Sequence, residues 1–418
     1  MLKTDKRFGK ITFSTLLIIT IVAVIITDCF NLINIAGHKL GTTYLSTFLN
    51  YSSIILFVVI ALKAKNKHTI PTSIQLLFKF WLFWMLFNIV RATFIAEDYW
   101  DWKFLLLSAL SFSLITLIFY VGNNLFYVKR IIQFVLKYVF LYGFILIPLA
   151  LVTHEELYSR IMIPISFFIV LAPYLKLKWK VLIGIVATTS ILIFVGFRMN
   201  IIKTVFSLIL LLLFYFRAFI SFKLLEIGRV FLFTLPLLLF AMAIFGEYNL
   251  FNELDKNNET TVSFNSQREE NLMADTRTFL YVEVLATLHK SGNWLIGESP
   301  SKGYNSVYFY NSGGAMKGTR YRTEVNILNI LLYHGIIGII LYFLLLYRVS
   351  YIAITKSNNM LAKMLGLFIA FRWTLSFIEE YTQYDLNFYF FWLIMGLLSS
   401  STFRNMTDTE VRNYLTIK

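Results

Sequence analysis

Residues 325–347 read VNILNILLYHGIIGIILYFLLLY, a run of 23 residues without a charged side chain. A helix needs roughly 20 predominantly apolar residues to cross the hydrocarbon core of a bilayer. The run therefore predicts a membrane-spanning helix. Charged residues bound it closely, with Glu324 at one end and Arg348 at the other.

Apolar runs of similar length recur along the whole chain. Of its 418 residues, 58% are hydrophobic and only 15% are charged, whereas soluble domains hold about 25% charged residues. One water-soluble core cannot bury that much apolar surface, so part of it needs lipid as its solvent. We predict an all-α integral membrane protein with about 12 transmembrane helices. The predicted spans are 11–30, 42–62, 72–95, 103–122, 132–152, 161–175, 180–197, 200–216, 230–246, 325–347, 361–378 and 385–402.

The net charge of +15 is distributed along the chain as a topology signal. Basic residues concentrate at both termini and in alternate loops, for example 63–67, 129–137 and 176–180. The intervening loops carry mainly acids, for example 97–101 and 379–385. By the positive-inside rule, this pattern predicts a multi-pass protein with both termini in the cytoplasm. Because the basic residues are dispersed over short segments, we predict no nucleic-acid binding.

One long polar loop interrupts the alternation of spans and short loops. It covers 247–323 and separates transmembrane helices 1–9 in 1–246 from helices 10–12 and a cytoplasmic tail in 324–418. The charge pattern places this loop on the outer face of the membrane. Apolar residues at helical spacing predict an amphipathic helix over about 276–288, and glycines crowd the segment after it. A structured loop of this length is usually functional.

The candidate functional residues are charged side chains at the outer ends of the spans. No metal-ligand spacing, phosphate-binding loop or dinucleotide fingerprint occurs in the sequence, so energy for any reaction must come from the substrate. A charge inside a membrane helix is costly and usually faces a wet cavity. Guanidinium groups also bind phosphate oxygens in a bidentate manner. The candidates are Arg91, Arg160, Arg198, Arg277, Arg320, Arg322 and Arg372.

Each candidate also has a structural interpretation. Arg91 and Arg160 could be interfacial anchors, and Arg320 and Arg322 could be solvated loop charges. Arg372 could pair with Glu379 or Glu380. The aromatic side chains of Tyr304, Tyr308, Phe309 and Tyr310 could stack on sugar rings or could pack in the core.

Glu324 is the most specific single candidate because it lies where the chain re-enters the membrane. Its carboxylate could cap the N-terminus of the following helix and gain stabilisation from the helix dipole. Alternatively, it could lie at the edge of a cavity and take a proton from an attacking hydroxyl.

The order of these motifs resembles the O-antigen ligase/polymerase family (Wzy/WaaL-like enzymes). In that family a long outer loop ends in a polar residue, and a Gly-hydrophobic-hydrophobic-Gly element follows in the next span, similar to Glu324 and 335–338 here. Three further segments are similar to family elements: Gly196-Phe197-Arg198 at an outer turn, Arg160 followed by Pro164, and Asp275-Thr276-Arg277 followed by a helix and Leu295-Ile296-Gly297.

The resemblance implies a GT-C-like membrane glycosyltransferase of the bacterial cytoplasmic (inner) membrane. Its substrate would be a polyprenyl-diphosphate-linked oligosaccharide, and it would need no metal or other cofactor. Besides membrane lipids, its expected partners are a chain-length regulator and a flippase. Arg198 and Arg277 would bind the lipid diphosphate, Glu324 would be catalytic, and Arg160, Arg320, Arg322 and Asn326 would contribute to substrate binding.

The resemblance favours a polymerase of repeat units for O-antigen, capsule or exopolysaccharide. Glu324 stands where the ligases of the family have a histidine, which argues against transfer of finished polymer to lipid A-core. A flippase for lipid-linked oligosaccharide is the alternative from another class. Two similar halves would favour a flippase, whereas the long outer loop favours the polymerase.

Overall fold

A computed structural model describes most of the chain. The described residues are 7–8, 11–35, 43–64, 69–145, 147–148, 156–192, 198–244, 261–263, 269–271, 277–307, 318–380 and 385–415. Helices dominate these ranges, and the described strands form three short antiparallel hairpins. The hairpins pair β1 (Arg7–Phe8) with β2 (Ile11–Thr12), β3 (Thr261–Ser263) with β4 (Glu269–Asn271), and β5 (Tyr304–Asn305) with β6 (Thr319–Arg320).

Apolar helices follow one another through the first 244 residues. They are α1 (Phe13–Ile35), α2 (Thr43–Ala64), α3 (Thr72–Ile95), α4 (Tyr99–Phe104), α5 (Leu110–Ile115), α6 (Ile118–Gly122), α7 (Leu125–Phe134), α8 (Phe140–Tyr142), α9 (Glu156–Met162), α10 (Ile165–Leu171), α11 (Leu177–Leu192), α12 (Arg198–Tyr215) and α13 (Phe222–Ile244). Two π-helical turns, Leu105–Ala109 and Val135–Val139, connect α4 to α5 and α7 to α8. Two 3-10 turns, Gly143–Ile145 and Ala172–Tyr174, follow α8 and α10.

The remaining helices follow residue 244, and the first of them lies in the long loop. They are α14 (Thr278–Ser291), α15 (Asn326–Thr355), α16 (Met360–Leu375), α17 (Leu386–Ser399), α18 (Ser401–Asn405) and α19 (Asp408–Leu415). Helix α14 agrees with the amphipathic helix predicted over about 276–288. Its Leu280, Val284 and Leu288 side chains are fully buried on one face.

Five helical stretches in the described part of the chain are long and apolar enough to cross a membrane. They are Phe13–Phe30, Thr72–Ile95, Tyr99–Gly122, Phe222–Met242 and Asn326–Thr355. Shorter apolar helices cover Thr47–Lys63, Tyr158–Tyr174, Met199–Tyr215 and Leu386–Ser399. Each predicted span overlaps a helix or a run of helical segments. The prediction of an all-α membrane protein is confirmed, while the number of spans stays a prediction.

Peripheral and central helices differ in what surrounds them. Helix α3 buries Ile74, Phe78, Trp81 and Met85 on one face. Its opposite face exposes large apolar side chains at helical spacing, namely Leu76, Phe80, Phe83, Phe87, Val90 and Phe94. Every residue of α17 is buried, and a helix that is apolar on all sides belongs in the interior of a bundle. The exposed stripe on α3 is therefore the surface that needs lipid.

Helix α15 is broken at Gly335, which has φ 65° and ψ −168°. The backbone N–H groups after the break donate to the loop: Ile336 N to Trp294 O at 2.9 Å and Ile337 N to Leu295 O at 3.3 Å. On the other side of the break, the His334 carbonyl accepts from Trp84 Nε1 at 2.9 Å. Such a break is tolerated at membrane depth only where protein satisfies the freed backbone groups. The loop and α3 do so here.

Candidate functional site

The residues after α16 form the point at which the long loop meets the helices. We refer to residues 376–380 as the 376–380 segment. The first predicted arginine to reach it is Arg277, whose Nε donates to the Ile378 carbonyl at 2.7 Å. One turn further along α14, Tyr281 Oη donates to the Phe377 carbonyl at 2.7 Å. Burial raises the pKa of the Tyr281 phenol, so this hydroxyl keeps its proton and stays a donor.

The N-terminus of α15 binds the same segment. Its N-cap residue is Val325, which has no side chain able to cap the helix. Instead, Asn326 N donates to the Glu379 carbonyl at 3.0 Å, and Ile327 N donates to the Ser376 carbonyl at 2.9 Å. The capping role considered for Glu324 is therefore wrong, because the backbone of the 376–380 segment accepts these hydrogen bonds.

Arg322 is held by the last residue of the segment. Its Nε lies 2.7 Å from Glu380 Oε1, with the Arg322 side chain 35% exposed and the Glu380 side chain 9% exposed. Asn329, on the first turn of α15, orders the neighbouring backbone because its Oδ1 accepts from Thr323 N at 2.7 Å. Two of the predicted arginines, Arg277 and Arg322, thus converge on one short segment.

The Asn326 side chain is fully buried beside this junction. Neither its Oδ1 nor its Nδ2 has a hydrogen-bond partner among the described residues. Buried amides are rarely left unsatisfied, because the lost hydrogen bonds with water are not replaced. The sequence predicted Asn326 as a substrate-binding residue, and the structure places it next to Glu379.

Glu324 lies at the surface of the loop. Its side chain is 53% exposed, and its Oε1 is 3.1 Å from Arg320 Nη2. Arg320 is paired in the β5–β6 hairpin with Tyr304. Tyr304 is fully buried, and burial raises the pKa of its phenol to about 12. Of the two interpretations given for Tyr304, its burial supports packing in the core, while Tyr308, Phe309 and Tyr310 lie outside the described residues.

Arg372, near the end of α16, also contacts the segment through Glu379, whereas the described contacts of Arg91 and Arg160 lie elsewhere. Helix α12 begins at Arg198, whose side chain lies outside the described part. Arg160, in α9, is half-buried and lies within electrostatic range of Asp28 and Asp385. Arg91 donates from Nη2 to the Gly297 carbonyl at 2.8 Å, which makes it an anchor for the loop.

A buried ion cluster completes the junction; the sequence analysis named its Arg372 and Glu379 but not its Lys203. Lys203 Nζ, from α12, lies 2.5 Å from Glu379 Oε1, and Arg372 Nη1, from α16, lies 3.6 Å from Glu379 Oε2. The side chains are 2%, 2% and 12% exposed for Lys203, Arg372 and Glu379. One signal could have identified Lys203: it is a charged residue within a predicted apolar span.

The loop segment that ends at Gly297 contacts the segment of α15 that begins at Gly335. A Cβ at Gly335 would lie 2.2 Å from Leu295 O, and a Cβ at Gly297 would lie 2.6 Å from Leu332 O. Both glycines have positive φ, 65° and 73° respectively. Only glycine combines this conformation with so close a backbone approach. The contact fixes the loop over the break in α15.

A second ion pair fixes the loop to the α3–α4 connection. Lys302 Nζ lies 2.9 Å from Asp101 Oδ2 and 3.5 Å from Glu97 Oε2, while Tyr321 Oη donates to Asp101 Oδ1 at 2.8 Å. Burial by itself would lower the pKa of the Lys302 ammonium, but the acidic partners outweigh it and raise that pKa. Burial and the hydrogen bond with Asp101 both raise the pKa of the Tyr321 phenol.

The site therefore offers cations, amides and one exposed carboxylate. Within the described ranges, no group of three or more His, Cys, Asp or Glu side chains is placed to hold a metal ion. The arrangement suits binding of an anionic group at the ends of apolar helices, with a carboxylate nearby. No protein-family model, curated protein or solved structure matches the chain.

Proposed function

We propose that this protein is a membrane glycosyltransferase that polymerises undecaprenyl-diphosphate-linked oligosaccharide repeat units into O-antigen, capsular or exopolysaccharide. The observation that carries the proposal is the convergence of cationic side chains on the 376–380 segment. Arg277 and Arg322 approach it from the loop, while Lys203 and Arg372 approach it from the helices. Such a concentration of donors suits a substrate that carries a diphosphate.

The surroundings of the site favour a lipid-linked substrate. The ion cluster lies at the ends of α12 and α16, which are apolar helices, so an anionic headgroup could bind there while its lipid tail remains in the bilayer. The loop packs over the break in α15 through Gly297 and Gly335, which gives a glycan a structured surface to lie against. We infer that the loop faces outward and that both termini face the cytoplasm.

The reaction would be a substitution at the anomeric carbon of the growing chain. A hydroxyl oxygen of the acceptor sugar forms the new bond to that carbon, and the bond from the carbon to the diphosphate oxygen breaks. The electron pair leaves with undecaprenyl diphosphate, whose added negative charge the arginines and Lys203 stabilise electrostatically. The hydroxyl proton passes to the Glu324 carboxylate, whose exposure leaves it accessible to an incoming acceptor.

The architecture that we propose has about twelve transmembrane passes in a GT-C-like arrangement in the bacterial inner membrane. The described helices support it, since each predicted span overlaps at least one of them. Helix α15 is long enough to cross the bilayer after its break, because 336–355 span about 30 Å at 1.5 Å per residue. The residues before the break would then support the loop.

Elongation of a defined substrate tests the proposal. Purified protein in detergent receives its lipid-linked repeat unit without nucleotide, and glycan length is measured by electrophoresis. We expect a ladder of products from the wild type and from Arg348→Ala, which alters the opposite end of α15. Combined replacement of Arg198, Arg277 and Glu324 by alanine should abolish the ladder.

Three outcomes would contradict the proposal. A full ladder from the triple variant would reject the assigned residues. Transfer of lipid-linked glycan across vesicles without elongation would identify a flippase. Transfer of finished polymer to lipid A-core, without growth of the chain, would identify a ligase.

A further inference from the structure

In the cluster of Lys203, Arg372 and Glu379, two cations share one carboxylate. Glu379 lies between the two cations and contacts both of them, while all three side chains are almost completely buried. A single buried pair would already connect α12 to the 376–380 segment. A second buried cation adds a desolvation penalty, which a purely structural ion pair does not require.

Small cavities lie on both sides of this cluster. Lys203 lines a cavity that is polar on one wall, with Ser159, Ser190 and Asn200 among its lining residues. Arg372 lines a second cavity together with Asn387. The two cavities share Ile163 and Ser166, so only the turn between α9 and α10 separates them. Each cation that contacts Glu379 thus also lines a small cavity.

An unsatisfied side-chain amide belongs to Asn326, whose backbone contacts the backbone of Glu379. The backbone N–H of Asn326 donates to the Glu379 carbonyl, whereas the Asn326 side chain is fully buried without a hydrogen-bond partner among the described residues. A buried amide without a hydrogen-bond partner and a carboxylate that shares two cations both point to recognition of a polar ligand at this place.

We propose that Lys203 and Arg372 form a subsite for a diphosphate anion, and that the Glu379 carboxylate occupies this subsite until the anion displaces it. This inference rests on the proposed function, because it names where the diphosphate of the substrate binds. Glu379 then acts as an internal competitor for the ligand. Its displacement leaves both cations available to phosphate oxygens, which accept more hydrogen bonds than one carboxylate can.

Other charges near the cluster limit how many anions it can hold. Asp385 lies within electrostatic range of Lys203, Arg372 and Arg160, and Asp28 lies within range of Arg160 and Asp385. Once Glu379 is displaced, three cations face two carboxylates. The cluster can therefore take one strongly charged anion in exchange for Glu379.

Displacement of Glu379 would also be transmitted to the loop. The 376–380 segment supplies the carbonyl oxygens that hold Arg277, Tyr281 and the N-terminus of α15. If the backbone of the 376–380 segment moves when the Glu379 side chain leaves its cations, these contacts shift with it. Binding of the diphosphate would then reposition the loop that carries the acceptor side of the reaction.

Binding of inorganic pyrophosphate to the full chain in phosphatidylcholine nanodiscs tests the subsite. By isothermal titration calorimetry, Glu379→Gln should bind pyrophosphate at least tenfold more tightly than the wild type, because the competing carboxylate is gone. Glu226→Gln is the matched control, since Glu226 also pairs with a buried arginine, Arg229. The Glu226→Gln variant should bind pyrophosphate with the affinity of the wild type. Equal or weaker binding by Glu379→Gln would overturn the proposal.

The cation is tested separately from the carboxylate. Lys203→Met should lose pyrophosphate binding, and Lys203→Arg should keep it within about threefold. If Lys203→Met does not fold, the rise in melting temperature of Glu379→Gln with pyrophosphate decides in its place. If pyrophosphate raises the melting temperature of Glu379→Gln no more than that of Glu226→Gln, the cluster serves helix packing alone and the subsite is rejected.

Two further experiments distinguish a lipid headgroup from a diphosphate as the ligand, and failure of the subsite from failure of the proposed function. If phosphatidylglycerol in the nanodisc abolishes pyrophosphate binding by Glu379→Gln, a lipid headgroup is the ligand and the diphosphate assignment fails. Tight pyrophosphate binding without glycan elongation would retain the subsite and reject the polymerase. Elongation with unchanged binding in Glu379→Gln would reject the subsite alone.

Discussion

Two buried ion clusters lie near opposite ends of α15, and they are built differently. Near its N-terminus, Glu379 shares two cations that come from α12 and α16. Near its C-terminus, Arg229 and Glu226 belong to the same helix, α13, and form two hydrogen bonds of 3.0 and 2.6 Å with each other. Arg229 Nη2 also donates to Tyr347 Oη at 3.1 Å.

The difference lies in charge balance and in origin. The Arg229 cluster matches one cation with one carboxylate, and the ring of Tyr347 covers the guanidinium at 4.3 Å. Its ion pair lies within one turn of a single helix, and the rings of Phe233, Tyr347 and Tyr351 surround the guanidinium. The Glu379 cluster is assembled from three elements, contains an additional cation, and borders two cavities. A self-contained pair stabilises a helix, whereas a cluster assembled from three elements, in which two cations share one carboxylate, suits a ligand.

The largest expected effect is on stability when Glu379 is replaced by leucine. Two buried cations would lose their shared carboxylate, and an uncompensated buried charge costs about 3–5 kcal/mol. We expect Glu379→Leu to lower the free energy of unfolding by that amount in an SDS titration. A loss below about 1 kcal/mol would mean that water or another group already compensates these cations.

A double-mutant cycle between Lys203 and Glu379 should give the next largest effect. Lys203→Met in the Glu379→Leu background removes a cation that has lost its partner, so the second substitution should cost less than it does alone. Residues in direct contact show coupling energies of about 0.5–3 kcal/mol, and we expect the upper half of that range. Additive effects would contradict a direct 2.5 Å contact in the folded protein.

Replacement of Arg229 should be tolerated better than replacement of Glu379. In Arg229→Met, the stranded Glu226 side chain is already 28% exposed and can be hydrated. The expected cost is about 1–2 kcal/mol, mainly from lost hydrogen bonds to a charged group. The same SDS titration measures it. A cost equal to that of Glu379→Leu would remove the distinction between the clusters.

The smallest expected effect concerns Lys302, whose ion pairs are partly exposed. Its pKa is raised in the folded protein, so its contribution to stability is complete below the pKa of the unfolded lysine and disappears as pH rises through the folded value. Lys302→Met should therefore cost about 1 kcal/mol or less at neutral pH. This cost should disappear as the pH rises above the raised folded pKa of Lys302, because the neutral amine no longer pairs with Asp101. A cost that persists at alkaline pH would point to packing of the Lys302 stem.

Local patterns allowed the helices to be predicted from the sequence. The apolar runs gave the positions of the spans, and the spacing of Leu280, Val284 and Leu288 gave the loop helix. The pairing of Arg372 with Glu379 was also foreseen as an alternative, because the two residues are close in sequence at one end of α16.

Contacts between distant segments could not be predicted in the same way. Lys203 and Glu379 are 176 positions apart, and only the packing of α12 against α16 brings them together. Likewise, the fit of Gly297 to Gly335 depends on how the loop crosses α15. The sequence left open whether Tyr304 stacks on a sugar or packs in the core, because aromatic side chains are frequent throughout this chain and composition alone does not show which of them are buried.

The most direct test compares glycan elongation by Lys203→Met and Arg229→Met under conditions in which both variants are folded. Each removes one buried cation, but only Lys203 belongs to the cluster at the 376–380 segment. Loss of a group that stabilises the leaving diphosphate should reduce elongation about 100-fold or more in Lys203→Met. Arg229→Met should elongate within about threefold of the wild type. Equal elongation by the two variants would contradict a functional difference between the two clusters.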